Sequence, residues 1–473
     1  MADTNAYTYT ISSDQVNAIC WLVSGTRLNI GTTGGEFTAY GGTTSGLASI
    51  TPTNITIRPE TSFGSARYVR PKKIGNSVVY TQGSKRRMRE MGYDITSDSY
   101  VSGDITLLAE HITRTGIKDI AYQKDLENNI WCVKENGEMI TFTYDKAQQV
   151  NGWSRHVLGG VFNNTVTGFT TSAVVESVAC IPNPTSTGDD IWIVVKRTIN
   201  GSTKRYVEYI ETGWEPETQQ QYSGFYVDSG LTYSGNFNTQ LSRSGDTGSV
   251  IFTAGSAVFN SGDVGKKIKY MEDGIYAEAT ITSFISGLVV IATVNGTFAT
   301  TPDPVPNPVP ANKWYLTATT ISGLNHLDNT EVTILVDGAT HAKKTVVSGS
   351  ITLDKPGGVV HVGLEQEFKM QTLPPEVSQL GTIRGRRYKI NKTEAGVNNT
   401  LGFKYGQYDD DTLTQVLNGP GLPMNAPPAL LNEIVALDVC GDYLDEGSII
   451  IKETLPIPVT ILYLAHSIGI YGD

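Results

Sequence analysis

The segment whose residue types come nearest to a known chemical motif is Ser261-Gly262-Asp263-Val264-Gly265-Lys266-Lys267. A phosphate-binding loop of this kind begins with glycine, surrounds the phosphate with backbone N–H groups, and ends in lysine followed by the Ser or Thr that holds magnesium. In this chain Asn260 stands in the place of the leading glycine, and Lys267 stands in the place of Ser or Thr. A strand pattern follows instead of a helix, so the sequence predicts an ordinary turn.

Two further groups of side chains have the chemistry to hold a cation. His361 lies near Glu365 and Glu367, but on a strand His361 and Glu365 would be far apart along the chain. The run Asp409-Asp410-Asp411 offers three carboxylates, which are ordinarily solvated when they lie in a loop. We predict that neither group is a metal site.

The familiar catalytic motifs do not occur in the chain. The sequence has no G-x-S-x-G, no H-E-x-x-H and no calcium loop of the EF-hand pattern. A pair of carboxylates for glycoside cleavage would converge only in the fold, so the sequence leaves that possibility open. We predict no catalytic residues, no cofactor and no enzyme activity.

Charge is spread unevenly along the chain, whose net charge is −11. Residues 65–90 carry eight basic side chains against Glu90 alone, giving +7, and residues 400–473 carry two basic and ten acidic side chains, giving −8. Lys85-Arg86-Arg87 resembles a phosphate-contacting patch, although no stacking aromatic residues are interleaved with it. We predict that both segments meet neighbouring copies or other partners, with ordinary solvated faces as the alternative.

The composition favours a large β protein. The strands and turns of such a protein would have to position any catalytic or binding side chains. The chain has 473 residues, enough for two to four packed units, and 18% of them are charged. Frequent Thr, Tyr, Val and Gly exclude collagen, coiled coils and helical bundles. No apolar run approaches the roughly 18 to 20 residues of a membrane-spanning helix. Buried, reduced thiols are predicted for Cys20, Cys132, Cys180 and Cys440.

Hairpin signals recur in the first half of the chain. Trp131 to Lys134 and Met139 to Tyr144 flank Asn136-Gly137, and Ile191 to Val195 and Tyr206 to Ile210 flank Asn200-Gly201. Asn-Gly supplies the two positive φ angles of a tight turn between twisted strands. Apolar runs around Ile19, Val78, Ile120 and Val178 begin successive units at spacings of 59, 42 and 58 residues. These spacings predict propeller blades, and a set of β-sandwiches remains the alternative. One short helix is predicted around Leu107 to Arg114.

Many short strings, in order, resemble the tail nozzle proteins, also called tail tubular or tail hub proteins, of tailed bacteriophages and prophages. They include Ser12 to Ile19, Trp21-Leu22, Arg27 to Glu36, Thr51 to Asn54, Asp104 to Ile112, Gly152 to His156, Trp192 to Arg197, His361 to Leu364 and Thr372 to Glu376. The resemblance covers nearly the whole chain. Family members usually carry a long region upstream of the matched part.

Residues 249 to about 298, with Phe252-Thr253-Ala254 and Asp263 to Lys266, are similar to the small β module called FCCH, known from ubiquitin-activating enzymes. This similarity implies a shared fold and no ubiquitin chemistry. We therefore predict an all-β protein, a propeller-like or multi-sandwich β platform with an inserted small β module. The predicted regions are a propeller-like region 1–248, the FCCH-like module 249–300, a Pro-rich linker 301–313, a small β-sandwich-like unit 314–368 and a C-terminal β region 369–473.

The resemblance to nozzle proteins implies a structural virion protein in the phage tail. Its copies would form a ring, a hexamer in that family, which closes the tail channel and passes DNA during ejection. The implied partners are other copies, tail proteins such as the adaptor and fibres, phage DNA in transit and, indirectly, the host cell surface. Residues 1–14 lack the start of a signal peptide, so we expect assembly in the host cytoplasm. A receptor-binding or polysaccharide-degrading tail protein is the main alternative, and a nucleic-acid-binding module is another.

Overall fold

The computed structural model describes residues 6–12, 17–42, 48–125, 127–184, 188–211, 213–272, 274–298, 305–376, 386–408, 412–417, 426–439 and 447–470. The chain forms two compact units, one of residues 1–198 with 203–212 and one of residues 199–202 with 213–473. Antiparallel sheets make up nearly all of the regular structure in these ranges, which confirms the predicted all-β class. None of the helices found there is long and apolar enough to cross a membrane.

The first unit is a series of short strands with one brief helix, α1 (Glu110–Thr113), inside the predicted helical segment. The strands are β1 (Ile19–Ser24), β2 (Leu28–Thr32), β3 (Glu36–Gly41), β4 (Ile55–Thr61), β5 (Lys72–Ile74), β6 (Ser77–Thr81), β7 (Met88–Asp94), β8 (Ser99–Asp104), β9 (Ile117–Tyr122), β10 (Asn129–Lys134), β11 (Met139–Asp145), β12 (Val150–His156), β13 (Val161–Asn163), β14 (Thr170–Ser172), β15 (Val174–Pro182), β16 (Asp189–Ile199) and β17 (Ser202–Ile210).

These strands form meanders that follow the chain and stack on one another. The orders are β1-β2-β3-β4, β5-β6-β7-β8, β9-β10-β11-β12 and β15-β16-β17, with a small β13-β14 hairpin between the last two. Trp21 of the first sheet packs on Val78 of the second, and Trp131 of the third packs on Val178 of the fourth. Three successive four-stranded meanders packed face to face resemble propeller blades, and the fourth sheet of the series has three strands.

Burial on both faces explains why the apolar runs of this unit are continuous instead of alternating. Val78 faces the first sheet and its neighbour Val79 faces the third, because consecutive side chains of a strand point to opposite faces. All five residues of β6 are buried. Complete burial of a side chain such as Val79 contributes about 1.5 to 3 kcal/mol.

Two details of the first unit differ from the prediction. The second meander begins at β5, so Val78 lies in its second strand, and the sheets start at residues 19, 72, 117 and 174. Of the two Asn-Gly turns, Asn200 and Gly201 both have positive φ, at 48° and 70°. At the other turn only Gly137 has positive φ, at 85°, and the Gly137 amide donates to Lys134 O while the Lys134 amide donates to Glu138 O. That geometry is a turn followed by a bulge at glycine, so asparagine there needs no strained φ.

The second unit is also β, with 3₁₀ turns at Gln221–Ser223, Ser261–Asp263 and Asn325–Leu327. Its strands are β18 (Asp228–Ser234), β19 (Leu241–Arg243), β20 (Ser249–Ala254), β21 (Lys267–Glu272), β22 (Ile275–Phe284), β23 (Val289–Asn295), β24 (Trp314–Leu316), β25 (Ala318–Ser322), β26 (Glu331–Val336), β27 (Ala339–Thr345), β28 (Ser350–Gly357), β29 (Val359–Leu364), β30 (Phe368–Gln371), β31 (Tyr388–Val397), β32 (Gly402–Gly406), β33 (Thr414–Leu417), β34 (Ile434–Leu437), β35 (Ile450–Glu453) and β36 (Ile461–Ile470).

The inserted module is larger than the predicted residues 249–300. Its sheet has the order β19-β20-β23-β22-β21-β24 and therefore runs from Leu241 to Leu316. Every strand contributes to one core, in which Trp314 and Phe252 are fully buried. The outer strands β19 and β24 lie outside the predicted bounds because they are too short to give a strand pattern of their own.

Residues 301–313 were predicted as a spacer, and their described part, 305–313, instead belongs to the module. Val305 and Val309 are 2% and 1% exposed and lie in the same core as Trp314. Leu241 and Val309 exchange two backbone hydrogen bonds of 2.9 and 2.8 Å. The guanidinium of buried Arg243 donates to the carbonyl oxygens of Val305 and Pro306. The sheet therefore ends at this proline-containing segment, and the side chains of Val305 and Val309 fill the core.

The two ends of the module meet. Asn236 forms a β-bridge with Tyr315, and the Leu316 amide donates to Gly235 O at 2.8 Å. The neighbouring sheet, in the order β18-β29-β26-β27, joins β18 to strands of the predicted unit 314–368, so residues 213–248 do not belong to a propeller-like region. In the region 369–473, the sheets β30-β35-β32-β33 and β34-β31-β36 share one core that contains Phe403 and Ile390.

Candidate functional site

The segment that resembles a phosphate loop is a turn, as predicted. Residues 261–263 form a single 3₁₀ turn, and the Asn260 amide donates to Asp263 Oδ2 at 2.7 Å. Lys266 pairs with Asp263 at 2.8 Å, and Lys267 pairs with Glu278 at 2.7 Å. Both lysines are thus bound to carboxylates of the module's own structure.

The three residues considered as metal ligands have separate partners. His361 is 4% exposed, with Nδ1 at 2.8 Å from Thr232 Oγ1 and Nε2 at 2.8 Å from Tyr222 O. Glu365 pairs with Lys343, and Glu367 pairs with Lys452 at 2.9 Å. Within the described ranges, no group of three or more His, Cys, Asp or Glu side chains is arranged to hold a metal ion. Asp409-Asp410-Asp411 and Cys440 lie outside those ranges.

The remaining cysteines are free thiols in the structure. Cys132 is buried as predicted, whereas Cys20 and Cys180 are only partly buried. Burial raises the pKa of Cys180 to about 11, so this thiol stays protonated and weakly nucleophilic near neutral pH.

His156 is a half-buried titratable side chain of the first unit. Its Nε2 lies 2.8 Å from Thr141 Oγ1 and 3.2 Å from Ser154 Oγ, and its ring lies 5.0 Å from the ring of Trp131. Burial lowers the pKa of His156 from 6.5 to about 4, so the imidazole is neutral at pH 7. A neutral ring in this position joins hydroxyl groups of β11 and β12, which is a structural role.

The basic segment 65–90 separates into groups with different environments. Arg89 is 6% exposed, donates to Gln82 Oε1 and Ser102 O, and lies over the ring of Phe63 at 3.4 Å. Lys85 pairs with Glu135 at 2.6 Å. Arg89 is therefore held within the first unit, whereas Lys85 forms a half-exposed ion pair on its surface.

A second group of basic residues, in β5 and the loop that precedes it, is exposed. Arg67, Arg70 and Lys73 are all exposed, and the intervening Tyr68 is 93% exposed with a positive φ of 68°. We call Arg67, Arg70 and Lys73 the basic loop. It is the part of the predicted +7 surface that a partner can reach on an open face.

A third group lines a cleft of about 440 Å³ in the first unit, where the β6–β7 hairpin meets α1. The lining residues are Ser84, Arg86, Arg87, Glu110, His111 and Arg114. Arg87 donates to Glu110 at 2.7 Å and pairs with Asp104 at 3.4 Å. Among the described residues, Arg86 and Arg114 have no ion-pair partner. We call this feature the arginine cleft.

The hairpin that carries the cleft is fixed by backbone contacts. Lys85 has a φ of 62°, a left-handed conformation that costs a non-glycine residue about 1 to 2 kcal/mol. Its amide donates to Gln82 O at 2.7 Å, and its carbonyl accepts from the Ile117 amide at 2.8 Å. The third sheet therefore holds the hairpin tip, and this fixes the backbone on either side of Arg86.

Sequence reasoning missed half of this cleft. Arg114 and His111 lie more than 20 residues beyond Arg86 and belong to the segment of α1, which packs its Ile112 against Val79 and Ile117. The only local signal was the short helix prediction, which placed these residues on a helix without indicating what it faced.

The acidic segment 400–473 is described in part. Glu433 and Asp438 are exposed, but Glu453 is 2% exposed and accepts from the amides of Thr454 and Leu455. The other seven acidic residues lie outside the described ranges. Glu453 is thus a structural carboxylate that cannot serve the predicted surface.

Comparison with known proteins gives no family assignment. No protein-family model matches the chain. A search of curated proteins finds no match either.

Proposed function

We propose that the chain is a structural virion protein whose copies form a ring-shaped nozzle that closes a phage tail channel and passes DNA during ejection. The ordered strings that resemble those of nozzle proteins support this function. The fold suits it, because sheets buried on both faces and close-packed cores make a stiff scaffold. We carry over from that resemblance a six-copy ring, contacts with the tail adaptor and fibres, and a location in the virion tail.

The observation that best supports ring assembly is the division of charge between the two units. The first unit holds 20 basic and 20 acidic residues, whereas the second holds 16 basic and 27 acidic ones and so carries the whole net charge of −11. A ring requires two different patches of the same chain to meet. The basic loop of one copy and the acidic second unit of the next are complementary in charge, which sets register and speeds encounter.

Assembly is tested by reversing the basic loop. The variant Arg67→Glu/Arg70→Glu/Lys73→Glu should shift the purified protein from rings toward monomers in analytical ultracentrifugation, with an unchanged melting temperature. Wild-type rings should loosen as salt rises, because exposed pairs are screened over about 8 to 10 Å at physiological ionic strength. Negative-stain images should show the ring and its symmetry.

The matched control reverses three exposed cations elsewhere in the first unit, Arg58→Glu/Lys124→Glu/Lys204→Glu. This control should assemble like the wild type. Equal loss of assembly in both variants would show that net charge alone matters. A basic-loop variant that assembles normally at low salt contradicts the proposed contact, and a wild-type protein that never forms rings contradicts the nozzle function.

The competing function, cleavage of a host polysaccharide, makes a separate prediction. It requires released sugar from capsule and loss of that activity when one carboxylate is changed. Detection of such turnover would replace the nozzle proposal, and its absence leaves the assembly experiment to decide.

A further inference from the structure

We propose that the arginine cleft is a binding site for a phosphate group, with Arg86 and Arg114 as its principal ligands. The site lies wholly within the first unit and does not depend on the assembly of copies. It also does not involve the phosphate-loop-like segment near residue 261, whose lysines are already paired.

The donors of the cleft are both numerous and available. Arg86 and Arg114 each present a guanidinium with five N–H donors and no ion-pair partner within the described ranges. Ser84 Oγ accepts from the Arg86 amide at 3.4 Å, which leaves its O–H free to donate to a ligand. His111 adds a ring nitrogen to the same lining.

The contact between Arg87 and Glu110 shows why a carboxylate is the weaker candidate. One guanidinium is enough to bind one carboxylate, and Arg87 already does so at 2.7 Å. The cleft keeps two further guanidiniums after that pairing. A phosphate has oxygen atoms on several sides and accepts from more than one arginine at once, so it matches this surplus of donors.

Charge supports the same assignment. The three arginines and one glutamate of the lining sum to a net charge of +2. Asp104, which contacts Arg87 without lining the cleft, reduces the local charge to +1. A phosphate group carries about −1 as a diester and about −1.5 to −2 as a monoester. The site is thus balanced by one phosphate group.

The cleft is preorganised and larger than one ion. The left-handed Lys85 and the hydrogen bond from the Ile117 amide to its carbonyl fix the hairpin. A volume of about 440 Å³ falls in the range of about 300 to 1,000 Å³ found for small-molecule sites. There is room for the group that carries the phosphate, either a free phosphate ester or a stretch of nucleic-acid backbone.

Binding is tested by titrating inorganic phosphate into the full chain in calorimetry, in a phosphate-free buffer at low salt. The variant Arg86→Gln/Arg114→Gln should weaken phosphate binding at least tenfold. The control Arg58→Gln/Lys204→Gln removes two exposed cations of the same unit and should stay within twofold of the wild type. Melting curves of both variants should match the wild type.

Two further ligands distinguish the source of the phosphate. Short duplex DNA that competes with inorganic phosphate, and loses affinity in the Arg86/Arg114 variant alone, identifies a nucleic-acid backbone. Duplex DNA that does not compete identifies a free phosphate or phosphate ester. Acetate binding as tightly as phosphate would overturn the proposal in favour of a carboxylate from another protein, and so would equal losses in the cleft and control variants.

Discussion

The two units of this chain reach the same all-β class by different routes. In the first unit, sheets follow one another along the chain and each strand pairs with its neighbour in sequence. In the second unit, strands pair across long distances, such as Tyr233 with Val360, and the Asn236–Tyr315 bridge closes a whole inserted module. The net charge also differs between the units, since the first unit is neutral and the second carries −11. Pairing between strands that are adjacent in sequence gives the first unit a regular stack of sheets. Pairing between strands that are distant in sequence leaves room in the second unit for an inserted module.

Two deletions give the strongest test of whether the inserted module is a separate structural element of the second unit. Removing residues 249–300 takes away strands β20 to β23 and leaves Leu241, Val305, Val309 and Trp314 without their core. We expect this deletion to abolish the unfolding transition of the second unit, measured by calorimetry and circular dichroism.

Removing residues 237–314 and joining the ends with two glycines takes away the module together with its core. The second unit should then keep a cooperative transition at a somewhat lower temperature. It loses the Lys269–Asp337 ion pair at 2.6 Å and the hydrogen bond from Tyr222 to Glu272 at 2.7 Å. If the shorter deletion is tolerated and the longer one is not, strands β19 and β24 are not part of the module.

The independence of the two units is tested by one core substitution in each. Trp314→Ala removes a fully buried ring that donates to Thr239 O at 2.7 Å, and it should cost the second unit about 3 to 5 kcal/mol. Ile130→Ala, also at a fully buried site, should cost the first unit about 2 to 5 kcal/mol. Hydrogen exchange should place each loss in its own unit, and equal loosening of both units by either change would show a single cooperative body.

The turns at Asn136-Gly137 and Asn200-Gly201 should respond differently to replacement of their glycine by alanine. Gly201→Ala meets no atom within 4 Å and should cost about 1 kcal/mol, from positive φ alone. Gly137→Ala would place its Cβ 2.4 Å from Val174 Cγ1, so overpacking should raise the cost to roughly 3 kcal/mol. Denaturant titrations measure both values. Equal costs would mean that the neighbouring sheet moves away from Gly137 freely.

The stability of the first unit should depend on pH because of His156. Because the folded form has a pKa of about 4 against 6.5, only the unfolded form takes up a proton below pH 6.5. The free energy of unfolding of the first unit should therefore fall, on the order of 2 kcal/mol, between pH 6.5 and 4. His156→Gln should flatten this dependence. His111→Gln, at an exposed site, should leave it unchanged, and an unaltered slope in the His156 variant would contradict this source of the pH effect.

Sequence reasoning predicted the first unit better than the second for a physical reason. The hairpins around Gly137 and Gly201 are encoded by adjacent residues, so strand patterns and turn residues suffice. Pairing of β18 with β29 has no local signal, and the valines at 305 and 309 are hidden among prolines that favour an extended spacer. The basic segment was visible, but only the fold separates buried Arg89 from exposed Arg86 and brings Arg114 beside the latter.

The closed ends of the inserted module have a consequence for protein engineering. Since Asn236 and Tyr315 are bridge partners, the module joins the surrounding sheet in the way that a single tight turn would. Any domain whose own termini lie side by side fits the same opening without stretching the host strands. This junction is consequently a practical place to graft a fluorescent protein.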